Sequence, residues 1–345
     1  MKDTSKIGKI LNRVIQLLIL AVTYIFIYRQ IFYKTDLPGI IKMLEDDFLK
    51  PGFVIQILIV FLMMIANWSL ETLKWKLLIE KIERVSFFRS FQAVLTGVSV
   101  SSFTPNRIGE YVGRAFILKN ASHIDGILVT ILGSMCQLMV TIVAGSITFL
   151  IFLPKYFPGT VYANGYLYYG LVFIILLLDL LLLGLLFNIS FLNTVKEKIF
   201  KNGLKKLRSH LHVFTFYKNR QIAVFLLLSA FRYIIFSSQF YLLLRLFGVP
   251  IPFFDALMMI SMIYFIMAVI PTIALTELGI RGSIALYFFG IYLSRFYPTT
   301  TEFSLGIFSA STLLWMINLG IPALVGTFFV FRLQFFRKVL PKETK

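Results

Sequence analysis

The chain has one cysteine, Cys136, and three histidines among its 345 residues. A single thiol inside an apolar run excludes an intrachain disulfide and a cysteine-built metal site. His123, His210 and His212 offer no metal-ligand spacing, since the last two stand two residues apart and fall on different sides of a helix. Charge is also scarce at 14%, and acidic residues are the rarer kind, 16 against 34 Lys and Arg. Neither a Walker loop nor a strand-flanked dinucleotide fingerprint occurs, which argues against ATP-driven transport by this chain alone. The pattern calls for no cofactor and no metal, and it contains no recognisable catalytic constellation.

What the sequence does hold is apolar. Hydrophobic residues make up 58% and aromatics 16%, more than a soluble domain hides, so the chain reads as an all-α polytopic membrane helix bundle. On a soluble protein the formal charge of +18 would suggest nucleic acid. Here the basic residues cluster in short loops and termini, which points to membrane orientation and anionic lipid head groups, with no nucleic acid partner. The opening "MKDTSKIGKILNR" and its apolar continuation meet Arg29 and Gln30 without a small-residue cleavage site. That is a retained first span, not a signal peptide.

Crossing the hydrocarbon core takes about 20 apolar residues in a helix. Six stretches qualify: 13–33, 52–72, 126–153, 166–189, 221–247 and 303–331. Two further apolar pieces, 86–104 and 253–270, are short and end at polar-studded segments. Loop charge decides their treatment. Residues 1–13, 193–220 and 332–345 are strongly basic, with eight Lys and Arg against one Glu in the middle stretch, and belong on the cytoplasmic side. Segments 29–50 and 154–165 lack that excess and belong outside. All five placements agree if 86–124 enters and leaves on the cytoplasmic side while 252–292 does so on the other. The expected architecture is one transmembrane domain over 1–345 with six spans and two re-entrant helical hairpins. Its halves are about 52–153 and 221–331, joined through a basic cytoplasmic linker, 193–220, read as a solvated loop with an interfacial helix. Full crossing by both hairpins, with some loops misassigned by charge, stays open.

The two hairpin tips echo each other. One reads "TPNRIGEYVGRA" and the other "IPTIALTELGIRGS". Pro105 precedes Glu110 and Arg114; Pro271 precedes Glu277 and Arg281. Each arginine follows its glutamate by four residues, on one helix face and in the favourable order. Opposite loop polarity makes this the pattern of an inverted-repeat transporter with a midplane site. Pro105, Gly109, Pro271 and Gly279 are the expected hairpin-forming residues. A half-helix beginning at membrane depth aims N–H groups into a cavity, which suits a phosphate. Arg107, Glu110, Arg114, Glu277 and Arg281 are therefore the candidate substrate-binding residues. Each Glu–Arg pair serves equally well as a structural clip. Arg107, with no partner in the second hairpin, is favoured as a ligand group. Asp179 and Arg232 interrupt consecutive spans about 15–17 Å deep by helix rise, so a salt bridge between them is expected, structural or coupling. Asn67, Gln137, Gln239 and Asn318 read as interhelical hydrogen bonds.

"TPNRIGEYVGRAFIL" and "PTIALTELGIRGSIALYFFG" resemble the two signature segments of the lysylphosphatidylglycerol synthase/flippase transmembrane family, the membrane region of bacterial multiple peptide resistance factors. The resemblance spans about 10–335 and rests on Pro105, Arg107, Gly109, Glu110 and Arg114, then on Pro271, Glu277 and Gly279; the glycine-rich run usual before the second acidic residue is replaced by "IAL". It implies movement of an anionic or aminoacylated phospholipid, or a lipid-phosphate carrier, between leaflets of a bacterial plasma membrane, with both termini cytoplasmic. Longer members carry an aminoacyl-transferase domain, for which the 14 residues after the last expected span leave no room. A separate lipid-modifying enzyme is then an implied partner. Two alternatives remain: a membrane-embedded transferase using Glu110 or Glu277 as general base, and a passive partner of a lipid synthase.

Overall fold

A computed structural model of the chain describes residues 3–34, 52–163, 165–189, 210–270, 274–297 and 301–333. Pro271 and most of the basic linker lie outside the described residues, which form helices joined by turns and no strand. Five helices are long and apolar enough to cross a membrane. They are α2 (Phe53–Ile79), α5 (His123–Tyr156), α7 (Gly165–Phe187), α8 (Asn219–Leu246) and the helical run Phe303–Thr327. The last comprises α11 (Thr301–Trp315), a π-helical turn over Met316–Gly320, and α12 (Ile321–Thr327). Pro322 accounts for that widening, because it has no N–H to return to the carbonyl of Asn318. A sixth long helix, α1 (Asp3–Lys34), covers the first expected span. The short α6 (Pro158–Ala163) leads into α7.

Two helical hairpins complete the bundle. The first joins α3 (Phe87–Ser101) to α4 (Ile108–Ala115), and the second brings α9 (Phe253–Val269) against α10 (Ala274–Leu293). With 15 and 8 residues, the arms of the first measure about 22 and 12 Å at helical rise, short of a hydrocarbon core of about 30 Å. Its arms touch backbone to backbone through glycine. A Cβ on Gly113 would lie 2.9 Å from the Gly97 Cα, and one on Gly109 would lie 2.5 Å from the Val100 carbonyl oxygen. Gly279 does not play the part expected of it: it stands inside α10, and a Cβ there would meet nothing within 4 Å.

Two apolar cores follow one another along the bundle. One gathers Trp75 and Leu78 of α2, Leu132 of α5, Phe225 of α8 and Leu319 around the first hairpin. The other gathers Val60, Phe152, Phe240 and Leu314, from the opposite parts of the same long helices, around the second hairpin. The hairpins therefore pack at opposite ends of the bundle. The polar residues of α2, α5 and α8 fall where the two cores meet.

Outside that junction the turns are tightly held. Glu83 accepts the backbone N–H groups of Lys119, Asn120 and Ala121 at 2.7–3.0 Å, fastening the α2–α3 turn to the α4–α5 turn. The end of the linker is not the solvated loop expected from its charge. Leu211, Val213 and Phe214 are buried in the first core, and the Tyr217 hydroxyl donates to the Leu78 carbonyl at 2.7 Å.

Candidate functional site

At the tip of the first hairpin, Pro105–Arg107 forms a single 3₁₀ turn. Asn106 and Arg107 both adopt left-handed backbone, with φ of 50° and 55°, a conformation costing a non-glycine residue about 1–2 kcal/mol. The Thr104 hydroxyl accepts the Gly109 N–H at 2.9 Å and caps the start of α4. This strained, capped turn holds the Arg107 guanidinium out from the hairpin, with 42% of its side chain exposed.

That guanidinium reaches the second hairpin. Arg107 Nη2 donates to both oxygens of Glu277, at 2.8 and 2.9 Å. Glu277 also pairs with Arg281, one turn further along α10. Arg107 thus has a partner in the second hairpin after all. Glu277 is the node that ties the two hairpins together.

A second carboxylate node lies deeper. Glu71, on α2, accepts Arg114 Nη1 at 2.6 Å and Lys74 Nζ at 2.9 Å, and it also pairs with Arg232 of α8. Arg114 bonds Glu110 in its own helix as well. Lys74 reaches the Ser229 hydroxyl at 3.3 Å. Arg232 donates through Nε to the Asn67 amide oxygen at 3.0 Å and through Nη1 to Gln137 at 3.2 Å. From Asn67 the network continues to Asn318, at 3.4 Å, and from Asn318 to Gln239, at 3.2 Å. The four amides make the interhelical bonds expected of them.

Between the two nodes opens a cavity of about 620 Å³, within the range of small-ligand sites. Arg107, Glu110, Glu277 and Arg281 line it, together with Arg232 and the missed pair Glu71 and Lys74. Arg114 lies against its wall through Glu71 and Glu110. The five expected binding residues are brought together at one place. Counting Lys74 and Arg232, five cations face three carboxylates, a surplus of two positive charges. Hydrogen-bond donors are in excess too: the Nε groups of Arg114 and Arg281 are buried with no acceptor among the described residues.

Asp179 and Arg232 do not pair. Asp179 accepts the Ser146 hydroxyl at 2.5 Å, on the α5 side of a helix that is otherwise largely exposed, while Arg232 turns to Glu71. Helix rise sets how deep a residue lies but not which way it faces. Lys74 falls beyond the second span as expected, which was to end at 72 but continues as helix to Ile79, and Glu71 falls one residue short of that expected end, where a charge marks a boundary. Their signal was present: Asn67, Glu71 and Lys74 stand at i, i+4 and i+7, a polar stripe on one face of an apolar helix.

The family described as Lysylphosphatidylglycerol synthase TM region matches residues 13–340. No curated protein matches the chain.

Proposed function

Because the chain belongs to the lysylphosphatidylglycerol synthase TM-region family, we propose that it moves a phosphate-bearing lipid between membrane leaflets, with the head group entering the cavity between the hairpins. One observation carries the reading: a cluster of five cations and three carboxylates, inside a membrane bundle, around a cavity of about 620 Å³. Ionisable groups at such depth are expensive and mark substrate paths. Arginine forks match phosphate oxygens two at a time, and Arg107 is the most exposed arginine of the cluster.

In this proposal both hairpins are re-entrant, from opposite leaflets, and the termini and basic linker face the cytoplasm of a bacterial plasma membrane. The short arms of the first hairpin and the opposite placement of the two support that geometry; loop charge supports the orientation. The acyl chains stay in lipid while the head group crosses through the cavity, so the polar part never meets hydrocarbon. The phosphate competes with Glu277 for Arg107 and Arg281, and releasing that cross-tie lets the hairpins part. No covalent step is involved. Nothing favours the transferase reading, since both of its candidate bases, Glu110 and Glu277, are held in ion pairs.

The test is reconstitution in liposomes holding acyl-labelled phosphatidylglycerol, with an external reductant bleaching whatever label reaches the outer leaflet. The wild-type chain is expected to bleach label beyond the outer-leaflet half, and Arg107→Ala and Arg281→Ala to stop there while remaining folded. Unimpaired movement by both variants would remove the cavity from the mechanism.

A further inference from the structure

A second pocket, of about 470 Å³, shares no residue with the charged cavity. It opens where α1, the start of α3, the α4–α5 turn and the chain after α12 meet. We propose that this pocket binds a phosphate ester, the head group of an anionic glycerophospholipid in the leaflet that faces the basic termini. The site is separate from any path of lipid movement and takes from the proposed function only the orientation of the chain.

Three cations line the pocket: Arg13 from α1, Arg89 from α3 and Lys119 from the α4–α5 turn. Among the described residues no carboxylate lines it. Glu83 lies 3.4 Å from Arg89 Nη2, but its oxygens already accept three backbone N–H groups. Even with Glu83 counted, three cations against one acid leave a surplus of two positive charges. Arg89 Nη2 also donates to the Ile117 carbonyl at 2.6 Å, and its Nε and Nη1 groups have no acceptor among the described residues. The Arg13 guanidinium lies over the Phe331 ring, 5.6 Å from its centroid. The walls are set before a ligand arrives. Gln16 is buried, and its amide donates to the carbonyls of Phe331 and Leu333 at 3.2 and 3.0 Å. Asn12 donates to the Leu333 carbonyl at 3.1 Å, so the face of α1 that carries Arg13 is held at the pocket.

A lipid matches what surrounds these cations better than a soluble phosphate does. On α1, Ile10, Val14 and Leu17 flank Arg13, each more than half exposed, and Arg89 follows the exposed Phe88. Basic side chains near the end of a membrane helix lay their stems on apolar surface and reach the head groups, and basic pockets between helices on the cytoplasmic side hold anionic ones. Acyl chains cover the apolar side chains while the phosphate takes paired bonds from the arginines. One phosphate shared by Arg13, Arg89 and Lys119 ties α1 to the first hairpin by charge. No ion pair among the described residues does so.

The probe is phosphatidylglycerol carrying a photoreactive diazirine on its head group, titrated into the purified full chain in detergent, with labelled peptides read by mass spectrometry. Saturable labelling of residues 12–16 and 117–119 is expected. Arg13→Ala with Lys119→Ala removes two exposed cations, should leave the fold intact, and should raise the half-saturating concentration about ten-fold or more. Arg13→Lys keeps the charge and should raise it less. Glutamine at the same two positions is the second variant if the alanines lower the melting temperature. An excess of glycerol 3-phosphate separates the two sources: no competition supports the lipid, while full competition at matched concentration overturns it in favour of a soluble phosphate ester. Labelling that never saturates, or that the double variant leaves unchanged, overturns the site. The readout is occupancy, so a chain that moves no lipid in liposomes yet labels here loses the proposed function and keeps this pocket.

Discussion

Glu71 and Glu277 are built from the same chemistry and differ in what surrounds them. Both are buried carboxylates that accept two arginines, and both join elements distant in sequence. Around Glu71 the partners are themselves enclosed: Arg114 and Lys74 are 2% and 1% exposed in their side chains, and Arg232 is held by Asn67 and Gln137. Around Glu277 one partner, Arg107, is 42% exposed and projects from a strained turn. The first node fastens α2, α4 and α8 into one body. The second is a joint between two hairpins whose arginine can exchange partners. Charge in a membrane protein thus holds structure where it is fully satisfied, and stays available to a ligand where one partner faces a cavity.

The contrast breaks most visibly at Glu71. Glu71→Ala leaves Arg114, Arg232 and Lys74 to share the remaining acceptors, and uncompensated buried charge costs about 3–5 kcal/mol. A large fall in melting temperature in detergent is expected, with little folded protein recovered. Glu277→Gln should cost less, about 1–3 kcal/mol, because Arg107 can turn to the cavity. That variant should fold and lose most of its lipid movement in the liposome assay. Equal destabilisation by the two would erase the distinction between fastening and joint.

A double-mutant cycle sharpens the assignment of Arg232. Removing it should show a coupling of about 1 kcal/mol or more with Glu71, its direct partner. Its effect should add to that of Asp179→Asn within about 0.5 kcal/mol, as for residues that share no contact. Asp179→Asn alone disturbs one hydrogen bond to Ser146 and should cost about 1 kcal/mol, read from thermal melts. Strong coupling between Asp179 and Arg232 would restore the salt bridge that depth alone suggested.

That pair shows where sequence stops informing. Apolar run length located all five long apolar helices to within a few residues at most ends, because hydrocarbon thickness dictates length directly. The Glu–Arg spacing of the hairpin tips was legible because i and i+4 meet on any helix, and both pairs form. Rotation about a helix axis is set by packing against neighbours the sequence does not name. Asp179 and Arg232, alike in depth, therefore face different partners. The Arg107–Glu277 tie joins residues 170 positions apart and follows only from the way the hairpins meet. The continuation of α2 past residue 72 was hidden by its own polar face, since the charged residues that line the cavity look like the end of a span.

Glu83 extends the comparison to a carboxylate outside the spans, held by backbone N–H groups instead of a cluster of side-chain cations. Burial pushes its carboxyl up. The N–H groups of Ala121, Lys119 and Asn120 and the nearby Arg89 guanidinium, at 3.4 Å, outweigh that and hold it below its ordinary value of 4.5. A carboxyl depressed in the folded state adds stability at pH above its ordinary value and loses that contribution as pH falls through the depressed one. One proton limits the slope to about 1.4 kcal/mol per pH unit. Glu83→Gln keeps an acceptor oxygen but cannot titrate. Melting temperatures of the two proteins, measured from neutrality to well below pH 4.5, should differ most near neutrality and converge as Glu83 protonates. A difference that stays constant across that range would mean the backbone N–H groups hold the side chain without favouring its charged form.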